Sequence, residues 1–158
     1  MVLSPSDFPA IRPLCLVTAD MLKQVGFNVD LQEMDWGTVV QRRASMEPVE
    51  KGGWSIIHTF GSSGSYSLPV TSNVVRGQGR AGGLFGWWES AKAEELTQDW
   101  LAAPDVASQK RIASELARLA MSEGATVPLG INYSKTAFRG LTGVLQGVAP
   151  YPWNVRPA

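Results

Sequence analysis

The sequence predicts an α/β fold: a mostly parallel sheet flanked by helices. Within the first 60 residues, apolar positions switch between the period of two of strands and the threes and fours of helices. The order reads strand, helix, strand, helix, strand, which favours parallel strands joined by crossovers. The chain has 158 residues, 44% hydrophobic and 18% charged. That is enough apolar material for a core within one domain or one lobe of a larger protein.

Val2 and Leu3, closed by Ser4 and Pro5, read as a first strand met in mid-domain, so a cut fragment is expected. From Pro9 to Val25 the residues Ile11, Leu14, Cys15, Thr18, Leu22 and Val25 form one helical stripe. Pro9 and Pro13 fall in its opening turns, and Gly26 can take the left-handed conformation that closes a helix. Phe27, Val29 and Leu31 alternate with Asn28, Asp30 and Gln32 as a second strand. Asp35 then caps a short helix reaching about Ser45. Trp54 to Phe60, entered through two glycines and bounded by Gly61, is rich in β-branched and aromatic residues and predicts the third strand.

Gly61 to Gly86 has little pattern, and no Asp or Glu occurs between Lys51 and Trp88. Such a connection is usually functional, and this one offers a ligand hydroxyls, backbone groups and aromatic rings but no carboxylate. Two helices follow. The first spans about Ser90 to Ala102 with Ala93, Leu96 and Trp100 inward; the second starts at Asp105, turns Ile112, Leu116, Leu119 and Ala120 inward and stops at Gly124. Thr126 to Tyr133 predicts a further strand, with Pro128 suiting an edge or a strand start. The remainder, with Gly140, Gly143, Gly147, Pro150, Pro152 and Pro157, shows little regular pattern.

Fourteen basic and fourteen acidic residues give no net charge, which argues against nucleic acid as a partner. Cys15 is the single cysteine and His58 the single histidine, too few for a metal site, so neither a metal nor a cofactor is expected. No segment approaches the length of a membrane span, and the N-terminus lacks a leader pattern. Gly77, Gly79 and Gly82 match the spacing of a dinucleotide fingerprint, but the strand-turn-helix context that would give it meaning is absent. His58 with Ser62, Ser63 or Ser65 suggests an alternative, a small serine hydrolase. Against it, the spacing misses the nucleophile elbow and no nearby acid would orient the ring. Of the six tryptophans, Trp54 and Trp100 are expected in the core, whereas Trp36, Trp87 and Trp88 sit at element ends where a cleft could use them. An aromatic docking patch at Trp87 and Trp88 is a third reading.

Several short runs, taken in order, resemble one family. They are Ala19-Asp20-Met21-Leu22, Val25-Gly26-Phe27-Asn28-Val29, Asp35-Trp36-Gly37, Gly53-Trp54-Ser55-Ile56, Val127-Pro128-Leu129 and Leu141-Thr142-Gly143-Val144. Together they resemble the C-terminal part of the family 5 extracellular solute-binding proteins, the dipeptide and oligopeptide receptors of ABC importers. The resemblance implies one lobe of a type II periplasmic-binding-protein-like fold, without catalysis, lying in the periplasm or outside the cell. It implies as partners a peptide or small-molecule solute, an ABC permease and a missing N-terminal lobe. Residues 1–133 would be the C-terminal lobe, and residues 134–158 a tail returning to the absent lobe.

The solute would sit between lobes, and in open α/β sheets ligands bind beyond the carboxyl ends of strands. Both arguments select Ser6, Asp7 and Phe8, then Asp35 and Trp36, then Phe60, Gly61, Ser62, Ser63, Ser65 and Tyr66. The family's dipeptide receptors use an aspartate in the third loop and an arginine after the first strand. This sequence has serines and glycines in the one and Pro5, Ser6, Asp7 in the other. A buried unpaired charge is costly, so the expected ligand is a longer peptide held by its backbone, or a neutral or cationic small molecule near Asp7.

Overall fold

The computed structural model describes residues 1–133, 135, 137–144 and 152–158. They form two compact units, Met1–Phe60 and Gly61–Ala158.

The first unit is built on β1 (Val2–Pro5), every residue of which is buried. On one side it pairs in parallel with β2 (Leu31–Met34), Val2 opposite Leu31 and Pro5 opposite Met34. On the other side Val2 bridges Ile56, also in parallel. The Leu3 N–H donates to the Ile56 carbonyl at 3.0 Å, and the Ile56 N–H to that of Met1 at 3.1 Å. The three segments therefore lie side by side in the order β2, β1, Ile56, all parallel, as the sequence predicts.

Two strands are shorter than predicted. Along β1, alternate N–H groups point to alternate sides, so the donor after Leu3 toward the Ile56 segment would be residue 5. That residue is Pro5, which has no N–H, and the ladder beside Trp54 to Phe60 stops at one bridge. The strand expected over Phe27 to Gln32 begins at Leu31, because the register sets Leu31 against Val2 and leaves residues 27 to 29 with no strand to pair.

The first helix, α1 (Arg12–Gln24), starts later than Pro9, with Pro13 in its first turn, and Gly26 follows at φ +90°. Its buried face is Ile11, Cys15 and Ala19, spaced by four, with Leu22 half-buried beyond. Leu14 and Val25, placed on the inner stripe from sequence, are exposed. The core joins Val2, Ile11 and Cys15 to Phe8, Leu22, Val29, Leu31, Trp36 and Ile56. α2 (Trp36–Arg42) begins at the predicted cap Asp35, ends three residues before Ser45, and buries Val39. Both helices pack on β1.

The second unit opens with α3 (Ser63–Tyr66), and α4 (Gly79–Gly82) lies further along. Its core lies between α5 (Ala91–Ala102) and α6 (Val106–Ser122), where Ala93, Leu96, Ile112 and Leu116 are joined by Val75, Trp88, Trp100, Ala103 and Leu119. Ser90 caps α5 through the Ala93 N–H, and Asp105 caps α6 through that of Ser108. Both helices thus begin where the sequence reading starts them, at Ser90 and Asp105.

Two glycines of the apparent nucleotide fingerprint, Gly77 and Gly79, serve backbone packing. Ser90 N–H donates to the Gly77 carbonyl at 3.0 Å, Gly79 N–H to that of Trp88 at 2.9 Å, and Gln78 bridges Glu89. This closes residues 77–90 into a necked loop, and a Cβ at Gly77 would lie 2.4 Å from the Ser90 carbonyl oxygen. Beside the neck, Arg76 and Glu94 form a half-buried ion pair at 2.6 Å, and Glu94 also accepts the Gly77 N–H.

Thr126 to Tyr133 is not a strand. Val127, Leu129, Ile131 and Tyr133 are all exposed, and no strand runs beside them among the described residues. Conversely, the patternless tail contains β3 (Leu141–Thr142) paired antiparallel with β4 (Arg156–Pro157). Ser134, Gly147 and Pro150 lie outside the described residues.

Candidate functional site

The parallel order brings the segments after β1, β2 and Ile56 to one edge of the first unit. Ser6 extends the β1–β2 ladder, its N–H donating to the Met34 carbonyl at 2.8 Å and its hydroxyl to the same oxygen at 3.2 Å. Asp7 reaches across to the start of α2, where Oδ1 accepts the Trp36 N–H at 2.7 Å. Asp35 is occupied by its own helix. Its Oδ1 accepts the Thr38 N–H at 3.0 Å and its Oδ2 the Thr38 hydroxyl at 2.5 Å. These hydrogen bonds hold its carboxyl below the usual carboxylate range.

Three rings complete the group. Phe8 packs against Trp36 with centroids 4.9 Å apart and planes tilted by 59°, and against Phe60 at 5.6 Å and 57°. Both are ordinary attractive geometries for aromatic pairs. Phe8 and Trp36 are half-buried, while Phe60 is 64% exposed. The Arg43 guanidinium lies 5.9 Å from the Trp36 ring centre. Arg43 stands seven residues after Trp36, a spacing visible in the sequence that puts both on one helical face.

Ser6, Asp7, Phe8, Asp35, Trp36 and Phe60 are thus gathered in one place. Gly61, Ser62, Ser63, Ser65 and Tyr66 form a self-contained group in the second unit. There Ser62 caps α3 by accepting the Ser65 N–H at 3.3 Å, and the Ser62 and Ser65 hydroxyls lie 2.9 Å apart. Tyr66 folds back over Gly61, where a Cβ would stand 2.5 Å from the phenol. The serines are exposed.

His58 is a packing residue of the first unit, 7% exposed. Its Nε2 lies 2.8 Å from the Thr18 hydroxyl and its Nδ1 3.4 Å from the Cys15 sulfur, itself 3.4 Å from the Leu3 carbonyl. If the thiol proton goes to Leu3, the ring carries its proton on Nδ1 and accepts from Thr18. Burial lowers the imidazole pKa and raises that of the thiol. A buried ring with both nitrogens engaged presents no base to a substrate, which weighs against the hydrolase. Among the described residues no group of three or more His, Cys, Asp or Glu is arranged to hold a metal ion.

The cleft tryptophans divide. Trp36 joins the aromatic group, whereas Trp88 packs on the α5–α6 core and donates its indole N–H to Glu123 at 2.8 Å. Trp54 donates to the Arg43 carbonyl at 3.0 Å. Trp54 and Trp100, expected in the core, are both half-buried, and Trp100 packs against the α5–α6 core.

No known protein-family profile matches the chain. Along its whole length it is similar to a protein of Sinorhizobium fredii named "Probable peptide ABC transporter periplasmic-binding protein". The two are 30% identical over 159 residues, which is 100% of this chain and 30% of that protein. The chain therefore spans about a third of the length of the curated relative it matches. The similarity supports a solute-binding protein, and the α/β architecture, with its small parallel sheet and helices, is compatible with a lobe of one. Among the described residues no helix is long and apolar enough to cross a membrane.

Proposed function

We propose that this chain is the substrate-binding component, in part, of an ABC importer of the family 5 solute-binding type, and acts by binding rather than catalysis. Residues 1–133 form the C-terminal lobe of a type II periplasmic-binding-protein-like fold, and residues 134–158 a tail that returns to the N-terminal lobe. The receptor closes over a peptide or other small solute in the periplasm or outside the cell and delivers it to the permease. The likeness to the S. fredii protein over the full chain carries this reading. The parallel order β2, β1, Ile56 supports it, because that order exposes one strand-end edge where a second lobe can close.

The ligand-binding residues proposed are Ser6, Asp7, Phe8, Asp35, Trp36, Phe60, Gly61, Ser62, Ser63, Ser65 and Tyr66. Hydroxyls and backbone groups dominate the serine loop, which suits hydrogen bonding to a peptide backbone. Uptake of labelled tri- to pentapeptides by cells in which the gene is disrupted tests the proposal. Uptake should fall severalfold and return with the intact gene, but not with a copy carrying Phe8→Ala and Trp36→Ala. Unchanged uptake across such peptides overturns it. So does ester hydrolysis by the purified chain that disappears in His58→Ala.

A further inference from the structure

Resting on the solute-binding reading, we propose that Phe8, Trp36 and Phe60 form an apolar subsite for an aromatic or large aliphatic side group of the solute. On this assignment the carboxylates of Asp7 and Asp35 hold the subsite in shape.

The first ground is how the carboxylates are used. Asp35 receives both the N–H and the hydroxyl of Thr38 at the start of α2. Asp7 receives the Trp36 N–H at 2.7 Å, a contact that ties the segment after β1 to the helix bearing the indole. A carboxylate accepting a main-chain N–H at a helix start is already in a favourable electrostatic position. Moving Asp7 Oδ1 away would forfeit that bond and free the Trp36 backbone, so this contact fixes the indole against the segment after β1.

The second ground is the shape of the rings. Phe8 is central, with Trp36 and Phe60 inclined to it by nearly equal angles, 59° and 57°. Trp36 already has the Arg43 guanidinium 5.9 Å from its centre. One face of that indole therefore already has a cation–π partner. Phe60 leaves 64% of its surface to solvent at the strand-end edge, and covering it with an apolar group gains affinity without breaking any hydrogen bond.

The test titrates the 158-residue chain with N-acetyl-phenylalaninamide, N-acetyl-glycinamide and N-acetyl-lysinamide, reading the Trp36 indole N–H by NMR. That signal is assigned by its loss in Trp36→Phe. The capped phenylalanine should shift it saturably and bind about tenfold or more tightly than the capped glycine. The capped lysine should gain less than the phenylalanine over glycine. Phe60→Ala should remove the preference for phenylalanine; its exposure makes loss of folding a poor explanation, and an unchanged far-UV spectrum would confirm that. Asp7→Ala should lose most of the preference, and Asp7→Asn, which keeps an oxygen to accept the Trp36 N–H, should restore it.

Equal affinity for phenylalanine and glycine overturns the subsite while leaving solute binding standing. Tighter binding of the lysine derivative that disappears in Asp7→Asn overturns it in favour of a cation site. No shift with any probe at tens of millimolar overturns both the subsite and the binding role of this edge.

Discussion

Burial of His58 makes the stability of the first unit depend on pH. The imidazole pKa is lowered below its ordinary 6.5 because its charged form would lose hydration. The unfolded chain therefore binds the proton more readily than the folded one, and stability is greatest above that ordinary value. It should decline as pH falls below about 6.5, which thermal melts read by near-UV dichroism would show. His58→Gln should flatten that dependence. At Gly77 the prediction is steric. Gly77→Ala sets a methyl 2.4 Å from the Ser90 carbonyl oxygen and should open the neck of the 77–90 loop, costing about 1–3 kcal/mol in chemical denaturation. Glu94→Ala leaves Arg76 and the Gly77 N–H without their acceptor and should cost about 2 kcal/mol or more. At this scale the sequence disclosed chemistry better than contacts. The spacing around His58 argued against a nucleophile elbow, but did not reveal that Thr18 and Cys15 hold the ring, since those residues meet only after α1 folds back on the sheet.

Helix starts were the most legible elements because a cap acts within three residues of itself. Asp35, Ser90 and Asp105, each read from the sequence as the start of a helix, each accept from the N–H three positions on. Asp105→Ala should lower stability by about 1 kcal/mol, and Asp105→Ser should recover most of that loss. Leu116→Ala, in the interface between α5 and α6, should cost about 2–5 kcal/mol because the site is sealed on all sides. Strands were less legible, since a strand exists only where another lies beside it. Val127, Leu129, Ile131 and Tyr133 alternate as well as Val29 and Leu31 do, yet only Leu31 has a partner. The truncation beside Trp54 to Phe60 was decided at Pro5, some fifty positions earlier in the sequence.

The molecule as a whole leaves much apolar surface uncovered. Val17, Met21, Val25 and Phe27 are exposed along and beyond α1, and Val127, Ile131 and Tyr133 on the segment after α6. Surfaces of this kind associate, so sedimentation of the 158-residue chain should show concentration-dependent self-association, reduced by Val17→Lys with Met21→Lys. Essentially complete monomers at high protein concentration would contradict this. The parallel order at the first edge was legible from element order alone, and so were the residues gathered at its strand ends. The division of the candidate residues between two units was not, because it depends on where the chain stops making contacts rather than on any motif. Cys15, wholly enclosed on the inner face of α1 with its sulfur against His58, offers a further use. A thiol reagent can label it only after α1 has lifted from the strands, so the pace of labelling counts those openings directly. If a solute that settles on the Phe8 and Trp36 edge also clamps the helix, it will slow that pace, giving a chemical clock for occupancy that needs no tag or dye.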